Sequence, residues 1–526
     1  MQTSCSIFAC MVEACPRTDI TKIEYYGKKF TVQEVIDYSL LVGGYLCANG
    51  YAGGSVGVML PNIPEAVFTL YGCSASGSVA NLINPRIPTK KLKSLLLSTD
   101  TKVLFLYDAL YPKHKDMLSS LGVKVVLCSP FYYRSDLKWL YALKSVGNRK
   151  NYFENVLTSG KCTPLSTDGK EAVAYIHSGG TTGEPKTVVL SSYALNSLAE
   201  AILTTVHPKK TYDAERDSML MMLPIFHGFG LGVCAHTIAC ACRIVLEPRF
   251  LPSESVKMIK KYSVTHLAGV PAMYRKMLGV KALRDGRLRN VTNVFCGGDS
   301  LSSLVKERFD EALKSAGSTA EMVEGYGLSE TASVVTVGRV GATKEHSQGQ
   351  ALKGNEIRIY KGATPLSAGE VGEILVSTPS LMSGYLGESQ SDVVVDIDGK
   401  PFLKTGDLGY MDSDGYLFYL ERQKRSIKIG AINIFPQEIE RVCRELSEVV
   451  ECCVARCYDK NNKPYVKLHL QLEDGIELNS LLESKIKRKI EQEIVRYAVP
   501  KEFCLEKEIK RTEMGKIDFN YYESLN

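Results

Sequence analysis

The chain has 526 residues, 45% of them hydrophobic and 23% charged, with a formal net charge of +6. That length corresponds to roughly three or four domain-sized units of ordinary soluble globular composition, so core size is no constraint. A charge this small, spread along the chain, admits an anionic substrate such as a nucleotide but does not argue for nucleic acid.

The first segment, Lys22–Val32, reads as a hairpin around Tyr26-Gly27, and Thr31-Val32-Gln33-Glu34 is a capping-box pattern opening a helix toward Gly50. Strand-like and helix-like runs then alternate: Ser55–Leu60, a helical Pro64–Ser76, and strands at Lys102–Tyr107 and Val123–Cys128. This βαβ rhythm predicts parallel sheets covered by helices. At the centre, the apolar runs Ala172–Ile176 and Thr187–Leu190 flank Ser178, Gly179, Gly180, Thr181, Thr182, Gly183, Glu184, Pro185 and Lys186. The glycines let backbone N–H groups approach an anion, the threonine hydroxyls add donors, and Lys186 supplies a point charge. It is not a Walker A loop, because Glu184-Pro185 intervenes and a strand follows. Composition alone leaves phosphate binding and an ordinary hairpin both open.

The alternation continues through Met219–Leu223, Ile244–Leu246, His266–Val270 and Val294–Cys296, with helices beginning near Pro252, Pro271 and Ser302. Ligands of open α/β sheets gather at carboxyl ends of strands, so the loops after Val270, Cys296 and Val323 are the predicted site. From about Lys361 short strands and Asp/Gly turns predict an antiparallel β subdomain. A basic connector after Arg422 leads to a helix at Pro436–Leu446 and a smaller α+β unit. There, Leu478, Leu482, Ile486, Ile490 and Ile494 recur every four residues, as in an amphipathic helix. The run Lys485-Ile486-Lys487-Arg488-Lys489 is either a solvated face or a place for a phosphate group.

The sixteen cysteines are scattered, and the close pairs Cys240/Cys242 and Cys452/Cys453 lack zinc-site spacing. Reduced thiols in the cytoplasm fit better than a disulfide framework. The N-terminus has no basic region ahead of an uninterrupted apolar stretch, so it does not read as a signal peptide. Gly228–Leu246, the longest apolar stretch, contains His236 and Arg243 and is too short to span comfortably. It reads as a buried helix and strand, and no membrane span is expected.

Four stretches carry the chemistry: the loop around Lys186, Glu324-Gly325-Tyr326-Gly327-Leu328-Ser329-Glu330-Thr331, Lys404-Thr405-Gly406-Asp407 with Arg422-Gln423-Lys424, and Lys510-Arg511-Thr512-Glu513-Met514-Gly515-Lys516. In this order they resemble the adenylate-forming superfamily of acyl-CoA synthetases, aryl-CoA ligases, luciferases and peptide-synthetase adenylation domains. The resemblance runs from about Thr31 to Asp518. The family's usual phosphate loop is Thr-Ser-Gly-Thr-Thr-Gly-x-Pro-Lys; Ser178 and Gly179 stand at its first two positions, which removes one hydroxyl, and Lys510 replaces a proline. The resemblance implies an ATP- and magnesium-dependent ligase. Ser178, Gly179, Gly180, Thr181, Thr182, Gly183 and Lys186 hold phosphate. Gly298, Asp299 and Ser300 line the nucleotide pocket together with Glu324, Gly325 and Gly327, and Tyr326 stacks on adenine. Ser329 bonds the α-phosphate, Glu330 holds magnesium, Asp407 takes the ribose hydroxyls, and Arg422 reaches phosphate or ribose. Lys516 is the catalytic lysine and Lys424 the hinge.

By the same resemblance His227, Phe229, Gly269 and Met273 border the acyl pocket, with His227 either a pocket wall or an acid–base group. Gly430 and Ala431 border the CoA channel, where a second glycine is usual, so the methyl of Ala431 bears on the thioester half-reaction. The expected architecture is α/β. A large N-terminal domain (1–423) of parallel-rich sheets covered by helices carries a small β subdomain (about 340–423). A smaller α+β lid follows (424–526). The expected reaction is acyl-adenylate formation followed by transfer to CoA. A carrier-protein phosphopantetheine as acceptor and a non-catalytic nucleotide-binding homologue remain as alternatives. His227, where amino-acid-activating domains have an aspartate, argues for an acid without an α-amino group; aryl and longer acyl acids stay open.

Overall fold

The computed structural model describes residues 2–137, 151–177, 186–206, 212–213, 215–240, 242–388, 393–429, 432–460, 463–494, 496–512 and 516–525. The expected phosphate-loop residues Ser178 to Gly183 and the Gly430-Ala431 pair lie outside them.

Among the described residues, two large sheets dominate the N-terminal part. The first runs Gln350–Ala351, Val334–Val337, Met322–Gly327, Asn293–Gly297, His266–Gly269, Ser218–Met221, Arg243–Leu246, Thr21–Tyr25, Lys28–Thr31. It is parallel from Met322–Gly327 to Thr21–Tyr25 and antiparallel toward both edges. The second runs Gly384–Tyr385, Thr187–Ser191, Ala172–His177, Val79–Leu82, Ser55–Met59, Val103–Tyr107, Lys124–Cys128, and its last five strands pair in parallel. The N-terminal hairpin turns at Tyr26 (φ 47°) and Gly27 (φ 92°). The helix Val32–Ala48 then starts on the capping box read from the sequence: Glu34 N–H donates to Thr31 Oγ1 (3.1 Å) and Thr31 N–H to Glu34 Oε2 (2.7 Å).

The helix Pro64–Ser76 joins the two sheets. All thirteen of its residues are buried, and one core cluster links its Val67 and Leu70 to Ile244 and Leu246 of the first sheet and Val58 and Leu82 of the second. Its fit against Val32–Ala48 depends on Gly72, where an added Cβ would stand 2.6 Å from Val42.

The predicted β subdomain is a six-stranded antiparallel sheet in which Lys400–Met411 pairs with Gly372–Ser377, Val394–Ile397 and Leu417–Arg422. Past Arg422 the core changes. Ile427, Ile434, Ile439, Leu468 and Ile486 form a separate cluster under the hairpin Ile427–Ile429/Ile432–Ile434, the strands Val449–Tyr458 and Pro464–Leu472, and two helices. One of these, Ser480–Glu493, buries Leu482, Ile486 and Ile490, while Leu478 and Ile494 are half-buried at its ends. On its other face Lys485 pairs with Glu448 (2.5 Å), Lys487 with Glu483 (3.4 Å) and Lys489 with Glu445 (3.0 Å), the solvated arrangement of the two readings above.

Glu65 sits in the first turn of the buried helix with neither carboxyl oxygen hydrogen-bonded. Desolvation outweighs the favourable backbone contacts there and pushes its carboxyl from 4.5 to about 8. Between these values the folded protein keeps a proton that the unfolded chain has lost, so its contribution makes stability fall as pH rises across that window. Glu65→Gln keeps the shape and removes the titration. The variant should gain thermal stability relative to the parent on going from about pH 5 to about pH 8.5; an advantage that does not grow with pH would contradict the assignment.

Candidate active site

The carboxyl ends of Val79–Leu82, Ala172–His177, Asn293–Gly297 and Met322–Gly327 open onto one cleft of about 1520 Å³, closed on its far side by the small sheet and the C-terminal unit. The strand after Cys296 ends where expected, but Met322–Gly327 continues four residues past Val323. Tyr326 is therefore presented from a strand rather than a loop. Gly327 explains the tight return: an added Cβ would stand 1.8 Å from the Ser333 carbonyl. The following 3₁₀ turn, Ser329–Thr331, closes at Ala332 with φ 59°, a conformation side chains rarely adopt. Thr331 holds the turn by donating to the Leu328 and Ser333 carbonyls (both 3.0 Å).

Asp407 is the best-anchored charge in the cleft. Its side chain is 2% exposed. Tyr326 Oη donates to Oδ2 at 2.6 Å, and the Asp407 backbone N–H donates to Thr405 Oγ1 at 3.0 Å. Arg422 Nε stands 3.0 Å from Oδ1 and its Nη1 donates to the Thr405 carbonyl (3.2 Å). Oδ1 nevertheless has no well-aligned hydrogen bond. Burial holds the Asp407 carboxyl above its ordinary value, outweighing the lowering by Arg422, Tyr326 and Lys516. A buried acceptor lacking a donor suits a ribose hydroxyl. Tyr326 stacks at 5.7 Å on Tyr419, which narrows the slot beside it.

Glu330 accepts from the Tyr385 hydroxyl at 2.7 Å. Tyr385 lies on the short strand paired with Thr187–Ser191, and Lys186 stands 4.5 Å over its ring while pairing with Glu388 (2.5 Å). Lys186, Ser329 and Glu330 thus face the same cleft. Among the described residues no cluster of three or more His, Cys, Asp or Glu could cage a metal. Magnesium is commonly held by one or two carboxylates plus substrate phosphates, and Glu330 fits that donor set.

His227 caps the helix Gly228–Ala239, its Nδ1 accepting from the Phe229 N–H (3.4 Å). Burial, helped by the Lys516 charge, lowers the ring to about 4. At neutral pH it is an uncharged imidazole with its proton on Nε2. Gly228 packs on Ser329: an added Cβ would meet Ser329 Oγ at 3.1 Å. Gly298 (φ 79°), Asp299 and Ser300 line the cleft, with Glu324 and Gly325 beside them; burial pushes the Glu324 carboxyl up to about 7. Phe229 also lines it, whereas Gly269 and Met273 do not. Gly269 faces the Tyr274 ring (3.2 Å from an added Cβ), and Met273 packs behind with Val270.

Lys516 lines the cleft from the C-terminal unit, close enough to act electrostatically on His227 and Asp407. Glu513, Met514 and Gly515 lie outside the described residues. Lys424 is exposed in the turn Gln423–Arg425, next to a network that the sequence did not reveal. Arg425 is buried between Glu421 of the small sheet and Glu440 of the helix Pro436–Arg444. Glu421 also accepts the Gln437 N–H at 2.9 Å. Tyr385, Glu388 and Arg425 carry no motif, since each gains its role from a more distant chain segment.

The family profile described as "AMP-binding enzyme" matches residues 12–386, and "AMP-binding enzyme C-terminal domain" matches 438–516. The chain belongs to the AMP-binding enzyme family. It is 30% identical over 519 residues to the long-chain-fatty-acid–CoA ligase of Bacillus subtilis, covering 95% of this chain and 90% of the relative. It is 31% identical over 416 residues to the probable 4-coumarate–CoA ligase 3 of Dictyostelium discoideum, with 76% and 73% covered. In fold it matches the anthranilate CoA ligase AuaEII in complex with anthranoyl-AMP (TM-score 0.86, 20% identity, 99% and 97% covered). ATP-bound MatB from Rhodopseudomonas palustris is also similar (TM-score 0.84, 21% identity, 100% and 99% covered).

Asp407→Asn removes the charge paired with Arg422 while preserving shape. It should weaken nucleotide binding by about 1.5–3 kcal/mol, on the order of 10–100-fold in Kd. Calorimetric titration checks this, and unchanged affinity would contradict the placement.

Proposed function

We propose that the chain is an AMP-forming acid–thiol ligase: it activates a carboxylic acid with ATP as an acyl-adenylate, releases pyrophosphate, and passes the acyl group to CoA. The observation that carries this is the convergence of Asp407, Tyr326, Glu330, Lys186 and Lys516 on one cleft.

In the first step a carboxylate oxygen attacks the α-phosphorus of ATP; the new P–O bond forms as the bond to pyrophosphate breaks. Both reactants are anions, so approach needs cationic compensation. Lys186 and Lys516 supply it from opposite sides of the cleft. Glu330, together with the substrate phosphates, would hold a magnesium ion, and that ion would supply neutralisation of charge on the departing pyrophosphate. Ser329 donates to the α-phosphate, and the Asp407 carboxylate fixes the ribose. His227, neutral with Nε2–H, can orient the carboxylate as a donor without consuming a proton. In the second step the CoA thiolate attacks the acyl carbon and AMP leaves. The lid is taken to begin at Lys424, so residues 1–423 form the N-terminal domain and 424–526 swing between the two steps.

Free CoA is the acceptor in this reading; a carrier-protein phosphopantetheine offers the same thiol, and comparing the two in a thioester assay separates them. A cytoplasmic setting suits sixteen cysteines that form no disulfide among the described residues, and among the described residues no helix is long and apolar enough to cross a membrane.

Carboxylate-dependent exchange of pyrophosphate into ATP tests the reading. Lys516→Ala should abolish most of that exchange while leaving ATP binding within several-fold, because the ammonium acts on charge that concentrates in the transition state. Full exchange in the variant would refute the assignment.

A further inference from the structure

The sheet that carries Tyr326 has two apolar faces, and one of them meets the cleft. Leu220, Leu267 and Val294 stand in register on neighbouring strands and pack into the core under the helices Pro252–Lys261, Pro271–Leu278 and Ser303–Ser315. Met219, Ala268 and Phe295 alternate with them and gather on the opposite face, where all three line the cleft. They lie on three adjacent strands, a floor about 10 Å across. Phe229 and Val233, one turn apart on the helix Gly228–Ala239, join the same apolar cluster and also line the cleft. That helix begins at the reacting end, since a Cβ added to Gly228 would meet Ser329 Oγ at 3.1 Å. Phe229 and Val233 carry the apolar lining onward from there.

Two properties of this lining decide what fits. First, it offers no cation. Among the described residues that line the cleft between 202 and 301 there is no lysine or arginine; the cations reach it at Lys91, at Lys186 and from Arg422 onward. His236, near the end of the helix, has the Ala199 carbonyl at Nδ1 (3.2 Å) and the Tyr212 hydroxyl at Nε2 (3.4 Å), so both ring nitrogens are already partnered. A second carboxylate on the substrate would lose its hydration in this lining and meet no counter-charge. Second, Ala268 is a notch. It pairs directly with Phe295, and Met219 stands on the strand at its other side, so the smallest side chain of the row sits between two long ones. A larger residue at 268 would fill that space from the floor.

We propose that the acid activated here is a monocarboxylate with an uncharged, apolar body, and that Ala268 sets the room available to that body. This deepens the ligase reading and rests on it. A straight alkyl chain and a flat aryl group share the required chemistry, and the experiment separates them.

The test compares octanoate with octanedioate and 4-methylcinnamate with 4-carboxycinnamate, so that within each pair a methyl is exchanged for a carboxylate at the far end alone. With the full-length enzyme, ATP and CoA, the best of the four acids should be one of the two monocarboxylates, and it should exceed its dicarboxylate partner in kcat/KM by about 100-fold or more. Which monocarboxylate leads identifies the body as alkyl or aryl. Ala268→Phe should raise KM for that acid by about tenfold or more and leave KM for ATP within about twofold, whereas a merely structural role would move both. Ala268→Val should shift KM for the acid in the same direction by less, and keeps the test valid if Ala268→Phe misfolds. A dicarboxylate that equals or exceeds its partner in the leading pair, or KM for the acid unmoved in a folded Ala268 variant, would overturn the proposal while leaving the ligase reading intact. Absence of turnover with every acid would contradict the ligase reading itself.

Discussion

The buried carboxylate of Asp407 is the contact on which the site depends. It sits on the long strand of the small sheet, yet its nearest hydrogen-bond partner is the Tyr326 hydroxyl from the large parallel sheet, 2.6 Å away. Arg422, one strand over, supplies the charge that makes burial tolerable. An isolated carboxylate at that depth would take up a proton, so the pair with Arg422 keeps an acceptor available for a ligand. The same contact ties the small sheet to the large parallel sheet beside the slot lined by Tyr326 and Tyr419.

A second buried charge system joins the C-terminal unit to the small sheet. Arg425 lies between Glu421 on the N-terminal side and Glu440 on the C-terminal side, and Glu440 in turn meets Arg444. Buried pairs contribute little net stability when intact but cost about 3–5 kcal/mol when one partner is lost. Such a network selects a position rather than strengthening the fold. In the position observed, Lys516 lines the same cleft as Asp407, Tyr326 and Glu330. Glu421 also accepts the Gln437 N–H, so the same network spans the junction that follows Arg422.

Local signals carried much of the fold. The Thr31/Glu34 box, the prolines opening Pro252–Lys261 and Pro271–Leu278, and the apolar run of Ser480–Glu493 each specify an element through neighbouring residues. Non-local pairings left no such trace. Thr21–Tyr25 pairs with Arg243–Leu246 more than two hundred residues on, and Gly384–Tyr385 adds to Thr187–Ser191. That second pairing is what brings Tyr385 to Glu330. Motif residues stood out because glycine, tyrosine and carboxylate spacing is unusual in a turn. Glu65 and His236 did not, since a lone polar residue in an apolar stretch reads as an interruption until its surroundings are known. Gly269 and Met273 lie near the cleft in sequence terms, but their side of the chain faces Tyr274 and the packing behind it.

The most direct test of the convergence on one nucleotide is a crystal structure with a non-hydrolysable acyl-sulfamoyl adenosine. The account predicts a ribose oxygen within hydrogen-bonding distance of Asp407 Oδ1, adenine beside Tyr326, and the sulfamoyl group between Ser329 and Lys516 or its lid-open path. A ligand seated away from Asp407, or Asp407 and Glu330 facing different bound groups, would contradict it.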